Sequence, residues 1–202
     1  MKNNRNRIFA ATIVAISSVI GALIMNTDWE EDEIYDLAQL TEFNGHAKDY
    51  PTLLLMNVSQ KGSNNSEDWQ NVVFADIGDR VSFNLYYHNS GPYIANDVVL
   101  KVSLQKCEGK VGCAKICGSI NAKNLSRVVR DCGEIQVNDE VKISEVSDLH
   151  WRPAKGLGSS LLLNNQTGFE IWTDGGLKIG DVGTGWGDKG NVNGSIVVGR
   201  PR

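Results

Sequence analysis

The stretch "LYYHN" sets Tyr86, Tyr87, His88 and Asn89 side by side, two phenols, an imidazole and a carboxamide. Those groups are the raw material of acid–base chemistry. A general base also needs a nucleophile and an orienting partner within hydrogen-bond reach. The chain offers no serine elbow, no H-E-x-x-H and no paired carboxylates at telling positions. His88 therefore reads as a strand-end residue whose ring bonds loop backbone, and the chain reads as a non-enzyme. Tyr86 and His88 are kept as candidate partner- or ligand-contacting residues. Asn89 and Gly91 tolerate the positive φ that turns demand, and Pro92 presets its own φ, so "NSGP" reads as a turn.

Aromatic platforms are the second source of chemistry. Of Trp69, Trp151, Trp172 and Trp186, the last sits in "GTGWGDKG". That loop is too glycine-rich for a strand centre, so Trp186 is the candidate for contact with a glycan or protein partner. The loop lacks the Gly-Lys-Ser/Thr ending and following helix of a phosphate cradle. His46, His88 and His150 are scattered without ligand spacing, and no cofactor or metal is expected.

Cys107, Cys113, Cys117 and Cys132 fall within one short stretch. Outside the cytoplasm an even, clustered set reads as two disulfides, with three pairings open. Zinc is the rival reading, and it lacks a C-x-x-C knuckle. Asn-x-Ser/Thr triplets at Asn57, Asn124, Asn165 and Asn193 matter only in a glycosylating host.

The compartment is indicated by the N-terminus. "MKNNRNR" is basic, and an uncharged apolar run follows from Ile8 to Met25. This is the export pattern, and its length favours an uncleaved signal anchor over a cleaved peptide. The positive-inside bias puts the first seven residues in the cytoplasm and the remainder outside. The net charge of -4 and a pI near 5.4 argue against nucleic acid as a partner. After the anchor (1–25), residues 26–50 read as a short acidic helix and linker, with Thr27 and Glu30 as a capping box.

From Pro51 the apolar period becomes two. "TLLLMNV" and "WQNVVFA" are short strand candidates. Val81, Phe83, Leu85 and Tyr87 fall on one face, with Ser82, Asn84, Tyr86 and His88 on the other. Val98, Leu100, Val102 and Leu104 repeat the inward pattern, so the two strands read as a hairpin across "NSGPY". The stretch at about 105–134 lapses into glycines and cysteines and reads as an insertion, a loop or small hairpin. "EIQV", "VKI", "FEIW", "LKIGDV" and "NGSIVVG" complete the strand candidates. Short strands with Gly-rich punctuation indicate an all-β antiparallel sandwich over 51–202.

With these residues in view, "ADIGDRVSFNLYYHNSGPYIANDVVLKVSL" resembles the conserved repeat domain of bacterial and archaeal cell-surface proteins. The matching features are a Gly78-Asp79 turn, the strand Val81–Tyr87, the Asn89-Ser90-Gly91 turn, and Ala95 through Val98 leading a second strand. "HWRPAKG" and "LKIGDVGTGWGDKGNVNGSIVV" are similar to that family's lead-in and last hairpin. The resemblance implies an immunoglobulin-like sandwich, used outside the cell as a spacer or adhesive module, with no catalytic residues to carry over. The function expected is a surface module for adhesion or structural assembly at the cell envelope, self-associating or binding protein partners. The alternative is a carbohydrate-binding accessory or secreted enzyme using the cysteine stretch and Trp186. Mass spectrometry without reductant is expected to find all four thiols masked; free thiols with bound zinc would overturn the disulfide reading.

Overall fold

Alternating strands bury one face each, and a chain with this many must stack two sheets to hide those faces. The computed structural model describes residues 39–61, 68–138, 142–146, 149–153, 161–163 and 169–199. The expected anchor over 1–25 and the acidic helix before residue 39 lie outside these. Among the described residues no helix is long and apolar enough to cross a membrane.

Eleven strands are described: β1 (Leu53–Asn57), β2 (Val72–Phe74), β3 (Arg80–Tyr87), β4 (Ala95–Lys106), β5 (Cys113–Asn121), β6 (Val129–Gln136), β7 (Lys142–Val146), β8 (Leu149–Arg152), β9 (Leu161–Leu163), β10 (Leu177–Val182) and β11 (Gly190–Gly199). A single helical turn, α1 (Val58–Lys61), follows β1. One sheet runs β1-β3-β11-β8-β9, with β7 also paired to β11. The other runs β10-β4-β5-β6-β2. All pairs are antiparallel except β2 with β6. The expected all-β, two-sheet architecture is therefore present.

Between the sheets, Leu53, Leu55, Val81, Phe83 and Leu85 face Leu100, Ile116, Ile120 and Ile135, all fully buried. Each such side chain contributes about 1.5–3 kcal/mol of burial. The inward alternation read over 81–87 and 98–104 holds through Val102 on β4; Leu104 is exposed.

The pairing differs from expectation. β3 and β4 lie in different sheets, so "NSGPY" is a crossover and no hairpin. β10 and β11 are likewise split between the sheets. Period two reports that one face is buried; it does not report which neighbour supplies the hydrogen bonds. "FEIW" is also no strand. Its backbone turns, Trp172 N–H donating to Phe169 O at 3.1 Å, so that Ile171 is buried while Phe169 stays exposed.

Of the readings for the cysteine stretch, the hairpin is the one present, and it is built into the second sheet. Cys113–Asn121 and Val129–Gln136 form two neighbouring strands of the second sheet. Their glycines are structural for a different reason than turn-making. A Cβ on Gly118 would strike Leu85 and Leu53, and one on Gly133 would strike Leu55. Glycine there lets the sheets approach closely. The sandwich also starts before Pro51. Thr41 bridges Leu125, Phe43 bridges Asn89, and Phe43 is buried in the core.

The Gly78-Asp79 turn is anchored by one carboxylate. Asp79 Oδ2 accepts from Asp76 N–H (3.0 Å), Asn57 Nδ2 (2.8 Å) and Gln60 Nε2 (2.9 Å). Burial pushes this carboxyl up, but the three donors outweigh it and hold its pKa below the ordinary aspartate value. A group depressed on folding stabilises fully above its unfolded pKa, and that stability is lost as pH falls through the folded value. Asp79→Ala is expected to cost about 1–3 kcal/mol in urea unfolding at pH 7, and less once the pH is below the folded pKa. An equal cost at both pH values would show that the ionised carboxylate is not what matters.

Candidate functional site

The candidate site is built at the end of β3, where the chain leaves the first sheet. Tyr86 and His88 sit on the face of β3 away from the core, yet His88 is 0% exposed. Segment 43–50 and the Trp186 loop cover that face. Asn44 fastens the cover by reciprocal bonds. Its N–H donates to His88 O (2.9 Å) and its Oδ1 accepts from His88 N–H (2.8 Å). Its amide Nδ2 donates to Tyr86 O and to Thr52 Oγ1. Asn44 itself has φ 53°, a left-handed value that asparagine tolerates.

Residues 46–49 form a tight turn that delivers a carboxylate. Asp49 N–H donates to His46 O, and His46 N–H donates to Asp49 Oδ2, both at 2.9 Å. Asp49 Oδ1 then lies 2.6 Å from His88 Nδ1 and accepts from Tyr86 Oη at 3.1 Å. The Asp49 side chain is 2% exposed. Burial raises its pKa, but the His46 N–H, the His88 ring and the Tyr86 phenol outweigh burial and hold it below the ordinary value. Burial first, and then Asp49, push the Tyr86 phenol far above its usual range, so it stays a donor. An ionised carboxylate only accepts, so in this bond His88 Nδ1 is the donor. Nε2 is buried and has no hydrogen-bond partner. An unmet buried polar atom costs about 1–3 kcal/mol.

Three rings close the site. His88 stacks on Trp186 at 4.5 Å between centroids, and His46 stacks on the same indole at 5.6 Å. The two imidazoles are 5.3 Å apart and tilted by 35°. Rings on opposite faces of the indole would stand much further apart, so both imidazoles share one face. Trp186 is 46% exposed and begins a short 3₁₀ turn, Trp186–Asp188. Gly185 enters that turn at φ +93°, which a side chain would resist. Lys189 Nζ lies 5.2 Å from the indole centroid, within cation–π range.

Tyr86, His88 and Trp186, separate candidates in the sequence, thus meet in one cluster. His46 and Asp49 complete it, and sequence reasoning missed both. Their signal is faint: "HAKD" holds an imidazole and a carboxylate three residues apart, in a segment read as linker.

The four cysteines are elsewhere. Cys107 is bonded to Cys113 and Cys117 to Cys132, with no free cysteine. Cys107–Cys113 closes the β4–β5 turn. Cys117 and Cys132 are direct cross-strand partners. They lie on the outer face of the second sheet, beside the Lys115–Glu134 ion pair at 3.4 Å. The ligand atoms of Cys107, Cys113 and Glu134 are within 4.8 Å of one another, but both sulfurs are spent in the disulfide. No thiolate remains for zinc. The triplet residues Asn57 and Asn124 are buried and hydrogen-bonded through their amide nitrogens, so glycosylation of the folded chain would break those contacts.

Comparison with protein-family models, with curated proteins and with solved structures finds no match for this chain. If Trp186 is the cover of His88, Trp186→Ala is expected to expose that ring at a stability cost of about 1–2 kcal/mol. Diethylpyrocarbonate mapped by mass spectrometry should modify His46 in both proteins and His88 in the variant alone. Equal protection of His88 in the variant would reject the role of the indole.

Proposed function

We propose that this chain is a non-catalytic, extracytoplasmic module of the cell envelope, acting in adhesion or structural assembly, with an immunoglobulin-like sandwich as its working part. The observation that carries this reading is the pair of disulfides held in one sheet of a two-sheet sandwich. Disulfides persist in oxidising compartments, and the basic-then-apolar start of the chain points to the same side of a membrane. The connections from β3 to β4 and from β10 to β11 are among those that pass between the sheets, as connections in immunoglobulin-like sandwiches do.

Assembly would use the β2 edge. This three-residue strand pairs only with β6 among the described strands. Phe74 on it is 70% exposed, and Val111 beside it is 84% exposed. Both line an open groove of about 400 Å³ with Val137 and Lys110. An edge strand with exposed apolar side chains is a template for strand addition.

A second reading, carbohydrate binding, is favoured by the half-exposed indole of Trp186 with a lysine at its ring. Native mass spectrometry and microscopy of the purified chain separate the two. Oligomers or filaments that Phe74→Lys converts to monomer support assembly at the β2 edge. A monomer at every concentration, with specific glycan capture lost in Trp186→Ala, overturns it in favour of the second reading.

A further inference from the structure

His88 presents a buried imidazole whose Nδ1 is taken by a carboxylate and whose Nε2 has no partner. Histidines that hold metal ions are built this way. One nitrogen donates to a carboxylate, which fixes the tautomer and the ring and makes the other nitrogen a better donor to the ion. A second imidazole is already in place. The His46 ring centroid is 5.3 Å from that of His88. Two imidazoles sharing a tetrahedral ion, with metal–nitrogen distances of about 2.0–2.1 Å, have centroids roughly 5 Å apart. His46 is exposed, so one of the two imidazoles meets solvent.

We propose that His46 and His88 form a two-imidazole site for a transition-metal ion of the Zn²⁺, Ni²⁺ or Cu²⁺ class. Imidazole suits these ions, and Asp49 is the positioning residue behind His88. Water fills the remaining coordination positions. Trp186 is no ligand; its indole lies across both rings and reports on the ion. Asp49 also places a negative charge behind His88, while Lys189 Nζ lies 5.2 Å from the indole centroid.

The test uses the full chain without a histidine tag, stripped with chelator and freed of it. Zn²⁺ is titrated by calorimetry, and Cu²⁺ by tryptophan fluorescence and electron paramagnetic resonance. One ion per chain is expected, bound more tightly than about 100 µM, with hyperfine coupling to two imidazole nitrogens. His46→Ala, which removes an exposed side chain, should keep the fold, weaken binding at least about 10-fold and leave one coupled nitrogen. Asp49→Asn should weaken binding by about 10-fold or more. Trp186→Phe should lose most of the Cu²⁺ quenching, and His150→Ala should change nothing. No saturable binding, binding untouched by His46→Ala, or binding abolished by His150→Ala would each overturn the site.

Discussion

The structure depends on how the chain crosses between its two sheets without leaving backbone groups unpaired. A crossover buried among other segments has no water to satisfy its amides and carbonyls. Asn89 solves this at the end of β3. It is 0% exposed, and its carboxamide works at both ends. The oxygen accepts from Thr41 Oγ1 at 2.5 Å and from Gly91 N–H at 3.1 Å. The nitrogen donates to Tyr93 O at 2.7 Å and to Val182 O at 3.0 Å. One side chain thereby ties the crossover to the segment before β1 and to the end of β10. Gly91 is required by the same knot, since a Cβ there would run into Thr41 and the backbone of Glu42. Aspartate would keep the shape but bring a charge and lose both donated bonds.

The cluster around His88 follows from that knot. Fixing segment 41–43 against Asn89 fixes Asn44, and Asn44 grips the backbone of His88 on both sides. The turn that follows then has little freedom, so Asp49 arrives where His88 and Tyr86 can use it. Fixing the end of β10 positions the start of the glycine-rich loop, and with it Trp186. Segments from three distant parts of the chain therefore converge because one carboxamide bonds to all of them, through the Thr41 hydroxyl and through backbone groups of Gly91, Tyr93 and Val182. The partnerless Nε2 is the exception in a neighbourhood where polar atoms are otherwise matched, and buried networks make such exceptions costly.

Strand content and the core face were legible in the sequence, because burial of one face writes a period of two into the residues. Val81, Phe83 and Leu85 illustrate it. Sheet membership was not legible. β3 and β4 carry the same pattern whether they pair with each other or face each other, and here they face each other. The cysteine stretch misled for a related reason. Gly118 and Gly133 resemble turn residues by type, but they mark close sheet approach, which depends on leucines some 30 to 80 positions away in sequence. Tyr86, His88 and Trp186 were visible as chemical types. His46 and Asp49 were not, since their role arises from a turn docking against a strand end some 40 residues on.

β5 and β6 show how one strand pair serves two purposes. On the inner face, Gly118 and Gly133 make room for leucines of the opposite sheet, while Ile116, Ile120 and Ile135 fill the core. Removing side chains at two inner positions forfeits packing and loosens the backbone, because glycine carries the greatest conformational entropy. The outer face answers at the rung between those two glycines. Cys132 lies between Asp131 and Gly133 on β6, and its partner Cys117 immediately precedes Gly118 on β5. The Lys115–Glu134 pair spans the next outward rung. A covalent cross-link there restricts the unfolded chain where the inner face has least to offer. Glycine inside and cystine outside are therefore two parts of one arrangement, and neither is intelligible without the other.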